Sequence, residues 1–493
     1  MSPTRAVTTH DGPRRDWLVR DGLWVAIAAL VLRVGVVIWA AGRFPPAGDG
    51  QFYDVVAGRI ARGLGYTWLW PDGAVTYAAH YPIGYPALVG MLYLLLGHHT
   101  WLAMVLNAVA GSASVLATHR IVSTRASRGA SLTAALIAAV HPTLLAYTPA
   151  MMTEVVTGAC LALAACAALG LWPKGSRSRW LRLVLVGAIL GVATLIRPEQ
   201  LVFAPFLGWI AMSERHRTGG AGEPSSDPTR PEPTRRWPSL GPGLAGAAGT
   251  LLLVVCFCLP WTIRNCHRMD RCAFISANAG WNLLIGTSPS GHGGWVPVDQ
   301  IGVPGACRTV FSEVAKDDCF LRAAYRRISL HPSSWLKLIP GKLDRTFGDV
   351  GAPGWYLGAS NGTIFTARAR LWLAGAEVIF QRALLLMVAV AMALKPGPRY
   401  RVRRVLALIA AVCFCSTIAW MGVLLLVIGA VVLGRRLLED PPFLMAAFGL
   451  GAAALIHGVF FGGARYAMPL LPLLIAAAAV PTSWWPGLRA GRL

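Results

Sequence analysis

Carboxylates are scarce in this chain: 22 Asp and Glu among 493 residues. Those beside a long apolar run therefore carry information, because ionisable groups near hydrocarbon are costly and commonly functional. Asp49 sits in PPAGDGQFYDVVAGRI, a few residues past the apolar run Leu23 to Ala41. Pro and Gly set a turn before it, and a short amphipathic helix from Gln51 to Arg62 is expected to follow. Glu154 sits in HPTLLAYTPAMMTEVVTG, after Pro149, in the first turn or two of a later apolar helix. The helix dipole favours a carboxylate there by about 0.3–1 kcal/mol. Two carboxylates at one membrane face could orient a hydroxyl and take its proton. Each has a plainer reading too: Asp49 as an N-cap, Glu154 as a dipole partner.

Other residues cluster with these two along the chain. Tyr77, His80, Tyr81 and Tyr85 punctuate TYAAHYPIGYP. They form either an interfacial aromatic belt or a loop that contacts sugar and phosphate. Arg197, in LIRPEQ, joins two short apolar runs and has Glu199 as a near partner. Arg465 and Tyr466 stand in FFGGARYAMPLLP, at the mouth of the last apolar run. Arg465 could snorkel to the interface, or hold a phosphate through paired hydrogen bonds. Arg33 lies inside the first apolar run and must face protein or water; its sequence context assigns it no role.

The elements that carry these residues follow from composition. Hydrophobic residues make up 55% of the chain and charged residues 14%, and mean hydropathy is +0.54. Those values exclude a disordered chain and a simple soluble enzyme. Apolar runs of spanning length start at 23–41, which reads as a retained first helix rather than a cleaved signal peptide. They continue at 101–119, 129–147, 150–172, 181–196, 199–213, 241–261, 371–394, 405–418, 419–433, 442–461 and 467–481. The run 84–97 is shorter and reads as re-entrant or interfacial. The expectation is an all-α polytopic membrane protein of about twelve transmembrane helices, with a small extracytoplasmic α or α/β segment.

The formal net charge is +23. With the N-terminus inside, 25 Lys and Arg fall in cytoplasmic pieces against five in short outer pieces. The positive-inside bias explains most of the charge, without a nucleic-acid partner. In this orientation residues 1–22 are a cytoplasmic N-terminus and 23–261 an N-terminal transmembrane module. That module contains the outer loop 42–85 and a cytoplasmic loop, 214–240. Residues 262–370 are an extracytoplasmic segment, and 371–493 hold the C-terminal helices. Gly219 to Pro238, rich in Pro, Gly, Ser, Thr and Arg, reads as disordered.

Six of the ten cysteines fall in apolar runs. The other four, Cys266, Cys272, Cys307 and Cys319, lie in the outer segment, where an even number suggests disulfides. Local pairing, Cys266 with Cys272 and Cys307 with Cys319, is preferred among three connectivities. A metal site competes for the four, but they form no CxxC pair and have no His cluster nearby. The chain has no Walker A motif and no HExxH, which points away from ATP-driven transport and zinc proteolysis.

Taken in order, GDGQFYDVVAGRIARGLGY, HYPIGYP, TEVV, LIRPEQLVFAP, PWTIRN, NAGWNLLIGTSPSGHGGW, SLHPSSWLKLIPGKLDRTF and ARYAMPLLP resemble a GT-C superfamily glycosyltransferase. The pattern is nearest to bacterial relatives of dolichyl-phosphate-mannose protein mannosyltransferases and of the lipid A aminoarabinose transferase. The resemblance covers nearly the whole chain. It implies a GT-C-like integral enzyme of the cell (inner) membrane with both termini cytoplasmic. Such an enzyme moves a sugar from a polyprenyl-phosphate carrier to a lipid, glycan or protein acceptor at the outer face, with inversion. Asp49 then falls where the family keeps its catalytic base, and Glu154 matches a second acid. His80 and Tyr81 fall near the donor phosphate, although relatives carry a Lys in that loop. Arg197, Arg264, Arg465 and Tyr466 complete the substrate-binding set. No cofactor is certain; some relatives use a divalent metal. A secondary transporter or flippase of a lipid-linked sugar is the main alternative, and a membrane scaffold a third.

Overall fold

The computed structural model describes residues 13–171, 178–215, 235–236, 238–394, 400–433 and 440–479. Most of the loop expected to be disordered, Gly219 to Pro238, lies outside these residues. The first half runs α1 (Pro13–Ala40), α2 (Asp49–Ala61), a hairpin of β1 (Thr67–Leu69) and β2 (Val75–Tyr77), α3 (Gly84–Leu96), α4 (Trp101–Val122), α5 (Arg128–Val140) and α6 (Pro142–Ala146). It continues with α7 (Glu154–Ala168), α8 (Arg179–Ile196), a 3-10 turn at Pro198–Val202, α9 (Phe203–Ala211) and α10 (Leu240–Arg268). Six short helices follow: α11 (Ala279–Ile285), α12 (Gly305–Arg308), α13 (Glu313–Leu330), α14 (Pro332–Leu336), α15 (Ile339–Phe347) and α16 (Ala352–Ser360). The chain closes with α17 (Ala367–Leu394), α18 (Tyr400–Phe414), α19 (Ala419–Leu433), α20 (Pro441–Val459) and α21 (Leu471–Ala479). The strands are few and short; β1 pairs antiparallel with β2, Thr67 opposite Tyr77.

Six helices among the described residues are long and apolar enough to cross a membrane: those at Arg20–Ala40, Trp101–Val122, Arg179–Ile196, Leu240–Arg268, Ala367–Leu394 and Pro441–Val459. Large apolar side chains stand exposed along them, among them Trp24, Val31 and Ile38 on α1 and Leu252 and Phe257 on α10. Apolar surface on that scale belongs in lipid, so the chain is a multi-pass membrane protein. The run 84–97 forms a helix of 13 residues, α3, too short for a full span.

The expected span 129–147 is broken. Pro142 follows His141, and a residue before proline is pushed out of the helical region; His141 has φ −55° and ψ 121°. The end of α5 would leave carbonyls without partners inside the bundle. Arg33 supplies them: its Nη1 donates to the Ala139 carbonyl at 3.1 Å and its Nη2 to that of Ala138 at 3.4 Å. Gly111 on α4 makes room, since a Cβ there would come within 2.5 Å of the Arg33 Nε. The arginine that the sequence left without a role is thus the cap of a broken neighbouring helix.

Residues from Leu283 to Ala324 build a second, smaller core around Ile285, Val303 and Phe320, and Phe461 from the far end of the chain inserts into it. Both expected disulfides are present, Cys266–Cys272 and Cys307–Cys319. The first closes the end of α10; the second ties α12 to α13.

Candidate active site

Asp49 is the first residue of α2, not its cap. The capping position is Gly48, with φ 53°, and no side chain caps the helix. Freed from capping, the Asp49 carboxylate faces other elements. Oδ1 accepts a hydrogen bond from the Tyr81 hydroxyl at 2.8 Å, and Oδ2 accepts one from Arg465 Nη1 at 2.7 Å. Gly50 lets the start of α2 lie close against its neighbours: a Cβ there would collide with the Tyr356 hydroxyl and meet the Met151 carbonyl at 3.0 Å.

Glu154 is the first residue of α7, and its side chain is fully buried. Its Oε1 accepts from Arg197 Nη1 at 2.9 Å and lies 3.8 Å from Arg465 Nε. Its Oε2 has no partner among the described residues. Arg197, at the end of α8, also donates to the Thr153 hydroxyl at 3.3 Å and, through Nε, to Glu199 at 2.5 Å. The result is a row of alternating charge from Asp49 through Arg465, Glu154 and Arg197 to Glu199. The sequence foresaw the Arg197–Glu199 pair; it gave no sign that Arg197 also reaches Glu154.

Tyr466 stands beside both guanidiniums, each 5.5 Å from its ring centre. It stacks on His457, with ring centres 4.4 Å apart. Tyr81 is itself positioned: its carbonyl accepts from the Tyr66 hydroxyl at 2.7 Å, and its ring packs on Phe52 and Tyr53. Burial alone would push the Asp49 carboxyl up. The Arg465 guanidinium, by charge and by hydrogen bond, overrides that and, with the Tyr81 hydroxyl, holds it below the usual carboxylate range. Burial, and then the neighbouring Asp49, raise the Tyr81 phenol, which stays a donor.

His80 and Arg264 sit differently. The His80 ring packs edge-on to Tyr81 and Trp281, and its backbone N–H donates to Glu313 Oε2 at 2.8 Å. Arg264 donates to the carbonyls of Ala78 at 2.9 Å and Tyr66 at 2.7 Å, and its guanidinium lies 4.6 Å from the Trp261 ring. It thereby fastens the two ends of the β1–β2 hairpin, just before the loop that carries Tyr81. Asp49, Tyr81, Glu154, Arg197, Arg465 and Tyr466 therefore meet, while His80 flanks them and Arg264 supports them from the hairpin.

Tyr53, Tyr356 and Glu313 support this group. Tyr53 was legible, four positions after Asp49 and so on the same helix face. Tyr356 and Glu313 were not, because roughly three hundred and more than two hundred residues of chain separate them from the loops they touch.

The segment that carries Arg465 is clamped from the 262–370 region. Gly462 N donates to the Gly293 carbonyl at 2.8 Å, and a Cβ at Gly462 would strike the Lys342 carbonyl. Lys342 is buried, and its Nζ donates to the last carbonyls of α20, Gly458 at 3.3 Å and Val459 at 2.9 Å.

A family described as dolichyl-phosphate-mannose-protein mannosyltransferase matches residues 80–219. That stretch takes in His80, Tyr81, Glu154 and Arg197 but neither Asp49 nor Arg465, and it agrees with the GT-C resemblance of the sequence motifs. No curated relative matches the chain. Among solved structures, the chain is similar to ArnT from Cupriavidus metallidurans bound to undecaprenyl phosphate, at 14% identity and a TM-score of 0.35, over 97% of this chain and 80% of that one. It is also similar to the apo oligosaccharyltransferase of Archaeoglobus fulgidus, at 12% identity and a TM-score of 0.47, over 97% of this chain. AglB from the same organism, in complex with an inhibitory peptide and a dolichol-phosphate, gives 13% identity and a TM-score of 0.42. This chain spans about half the length of the two archaeal structures, 52% of each.

Proposed function

We propose that the chain transfers a sugar from a polyprenyl-phosphate carrier to an acceptor hydroxyl at the extracytoplasmic face of the cell membrane, with both termini in the cytoplasm. The observation that carries this reading is the Asp49 carboxylate held between the Tyr81 hydroxyl and Arg465, with a second acid beside the same arginine. The family match over residues 80–219 supports the donor class.

In the proposed step the acceptor oxygen bonds to the anomeric carbon from the face opposite the phosphate, so configuration inverts. The bond from that carbon to the phosphate oxygen breaks, and its electron pair stays on the polyprenyl phosphate. The acceptor proton passes to Asp49, the general base. Charge grows on the leaving phosphate, and guanidinium donors stabilise it. Arg465 serves this best, because its side chain is one-third exposed and only one of its N–H donors is taken up by Asp49. Arg197 stands behind it, fixed by Glu154 and Glu199. Tyr81 aims the base, and Tyr466 flanks both guanidiniums.

Of the carboxylate oxygens that a divalent metal could use, both on Asp49 are engaged, whereas Glu154 Oε2 is unpaired among the described residues. Asp49 and Glu154 each face arginine, and among the described residues no three His, Cys, Asp or Glu side chains gather to hold an ion.

The test is transfer from radiolabelled polyprenyl-phosphate sugars by purified protein in lipid, comparing wild type with Asp49→Asn. The variant is expected to lose about 10²- to 10⁴-fold in turnover, the range of general-base catalysis. Equal turnover would remove Asp49 from the mechanism. Movement of the intact lipid-linked sugar across sealed vesicles, with no bond broken, would make the chain a flippase instead.

A further inference from the structure

Residues Ala79 to Tyr81 stand between β2 and α3, in neither helix nor strand. Ala79 is fully buried, and a buried backbone group must find a partner. Distant parts of the chain supply the partners here. The Ala79 carbonyl accepts from the Ala277 N–H at 2.7 Å, and the Tyr81 carbonyl accepts from the Tyr66 hydroxyl at 2.7 Å. The N–H groups of Ala79 and His80 converge on a single oxygen, Glu313 Oε2, at 2.5 and 2.8 Å.

Glu313 is the first residue of α13, 234 residues along the chain from Ala79. A carboxylate suits this place. Two adjacent N–H groups aimed at one point favour an anion, and hydrogen bonds to an ionised acceptor are about twice as strong as neutral ones. The same face of α13 grips the loop a second time. Asp317, one helical turn after Glu313, accepts from the Trp281 N–H at 2.8 Å. The Trp281 ring packs edge-on against His80, with ring centres 5.4 Å apart. Ala79 itself packs with Ala273, Ala277 and Val314 in a small core of their own.

The residue after this grip is Tyr81, whose hydroxyl donates to Asp49 Oδ1 at 2.8 Å. A hydrogen bond of that kind is lost within about 1 Å of added length. The backbone that carries Tyr81 therefore has little room to drift, and the two N–H groups just before it are held by Glu313.

We propose that Glu313 is a positioning residue for the general base: by holding the N–H groups of Ala79 and His80, it keeps the Tyr81 hydroxyl on Asp49. Its catalytic consequence rests on the transferase reading. Glu313 acts through Tyr81, and α13 of the block 262–370 becomes part of what sets the base.

Two readouts on the full chain in lipid nanodiscs test this. The first needs no turnover: hydrogen exchange at Ala79 and His80, followed by mass spectrometry of the peptides that cover them. In Glu313→Ala exchange should be about ten- to a hundredfold faster, the worth of a hydrogen bond to a charged group, with melting temperature as the fold control. Glu313→Gln keeps an acceptor and should recover part of the protection. Glu313→Asp, one methylene short, should lose protection in the same direction as Glu313→Ala and replaces it if that variant does not fold. The second readout is the pH profile of sugar transfer. Glu313→Ala should lower kcat about two- to tenfold, the worth of one hydrogen bond, and move the acidic limb to higher pH, because Asp49 loses the Tyr81 donor. Removing a distant negative charge with Tyr81 still in place would move the limb the other way, to lower pH. In a Tyr81→Phe background the same change should add no further shift, since both act through one bond. Unchanged exchange at Ala79 and His80 would overturn the proposal. So would faster exchange with a limb that stays put, moves to lower pH, or shifts additively with Tyr81→Phe. A wild-type protein that transfers no sugar at any pH would remove the transferase reading alone, and exchange would still decide whether Glu313 holds the loop.

Discussion

Arg465 is the residue on which the proposed chemistry turns, and replacing it with Gln gives the sharpest test. Its Nη1 lies 2.7 Å from Asp49 and its Nε 3.8 Å from Glu154. At an effective dielectric of about 20, two unit charges at those distances attract by about 6 and 4 kcal/mol. Water reaches a third of the arginine side chain and a quarter of the Asp49 side chain, so only a fraction of this survives as net coupling. For the transition state, the loss of one preorganised donor to a developing oxyanion costs about 10²- to 10³-fold in kcat, and that is the expected loss. Arg465→Lys keeps the charge but cannot make both contacts from one planar group, so a loss of about tenfold is expected, within the range of one charge-assisted hydrogen bond. The pH profile adds a second, independent readout. Asp49 must be ionised to act as a base, so activity falls as pH drops through its pKa. Arg465 is the main influence that holds that pKa down against burial. In Arg465→Gln the acidic limb of kcat/KM should therefore move to higher pH. The assay is sugar transfer by proteoliposomes between pH 4 and 9, with melting temperature as the fold control. A folded Arg465→Gln protein with wild-type kcat and an unmoved acidic limb would refute the reasoning.

Three further outcomes are expected. Tyr81→Phe removes one hydrogen bond from Asp49, so it should shift the acidic limb upward by less than Arg465→Gln does and cost about two- to tenfold in kcat; an unmoved limb would show that the hydroxyl does not tune the acid. Gly50→Ala should lower both activity and melting temperature, because the new methyl strikes the Tyr356 hydroxyl; adding Tyr356→Phe should recover part of the loss, and no recovery would mean the Met151 backbone is the obstacle. Replacing Cys307 and Cys319 together by Ser opens a loop closed across 12 residues; a destabilisation of about 2–4 kcal/mol, read by thermal denaturation, is expected, and an unchanged melting temperature would show that the small core holds without the link.

The helical membrane architecture was legible because long apolar runs leave few alternatives in lipid, and the local disulfide pairs because close spacing favours them. Asp49 and Glu154 stood out for a related reason: carboxylates are rare beside hydrocarbon. What joins them was not legible. Arg465 lies more than four hundred residues from Asp49, and no period or spacing encodes a contact at that range. Arg264 shows the opposite difficulty. A basic residue at the end of a span looks like a ligand for phosphate, yet Arg264 also donates to the carbonyls of Tyr66 and Ala78, a tie that no spacing encodes. The break at His141 was written in the following proline, but the apolar run around it masked the signal.

The clamp on residues 458–465 ties the Arg465 guanidinium to the block 262–370. The N–H of Gly462, three positions before Arg465, hangs on the Gly293 carbonyl, and Lys342 fastens the helix end just upstream. A shortened protein lacking residues 262–370 would thus be stripped of the anchorage that aims its most exposed positive group. Conversely, whatever shifts the block pulls on the same tether, so the block and the placement of Arg465 move together.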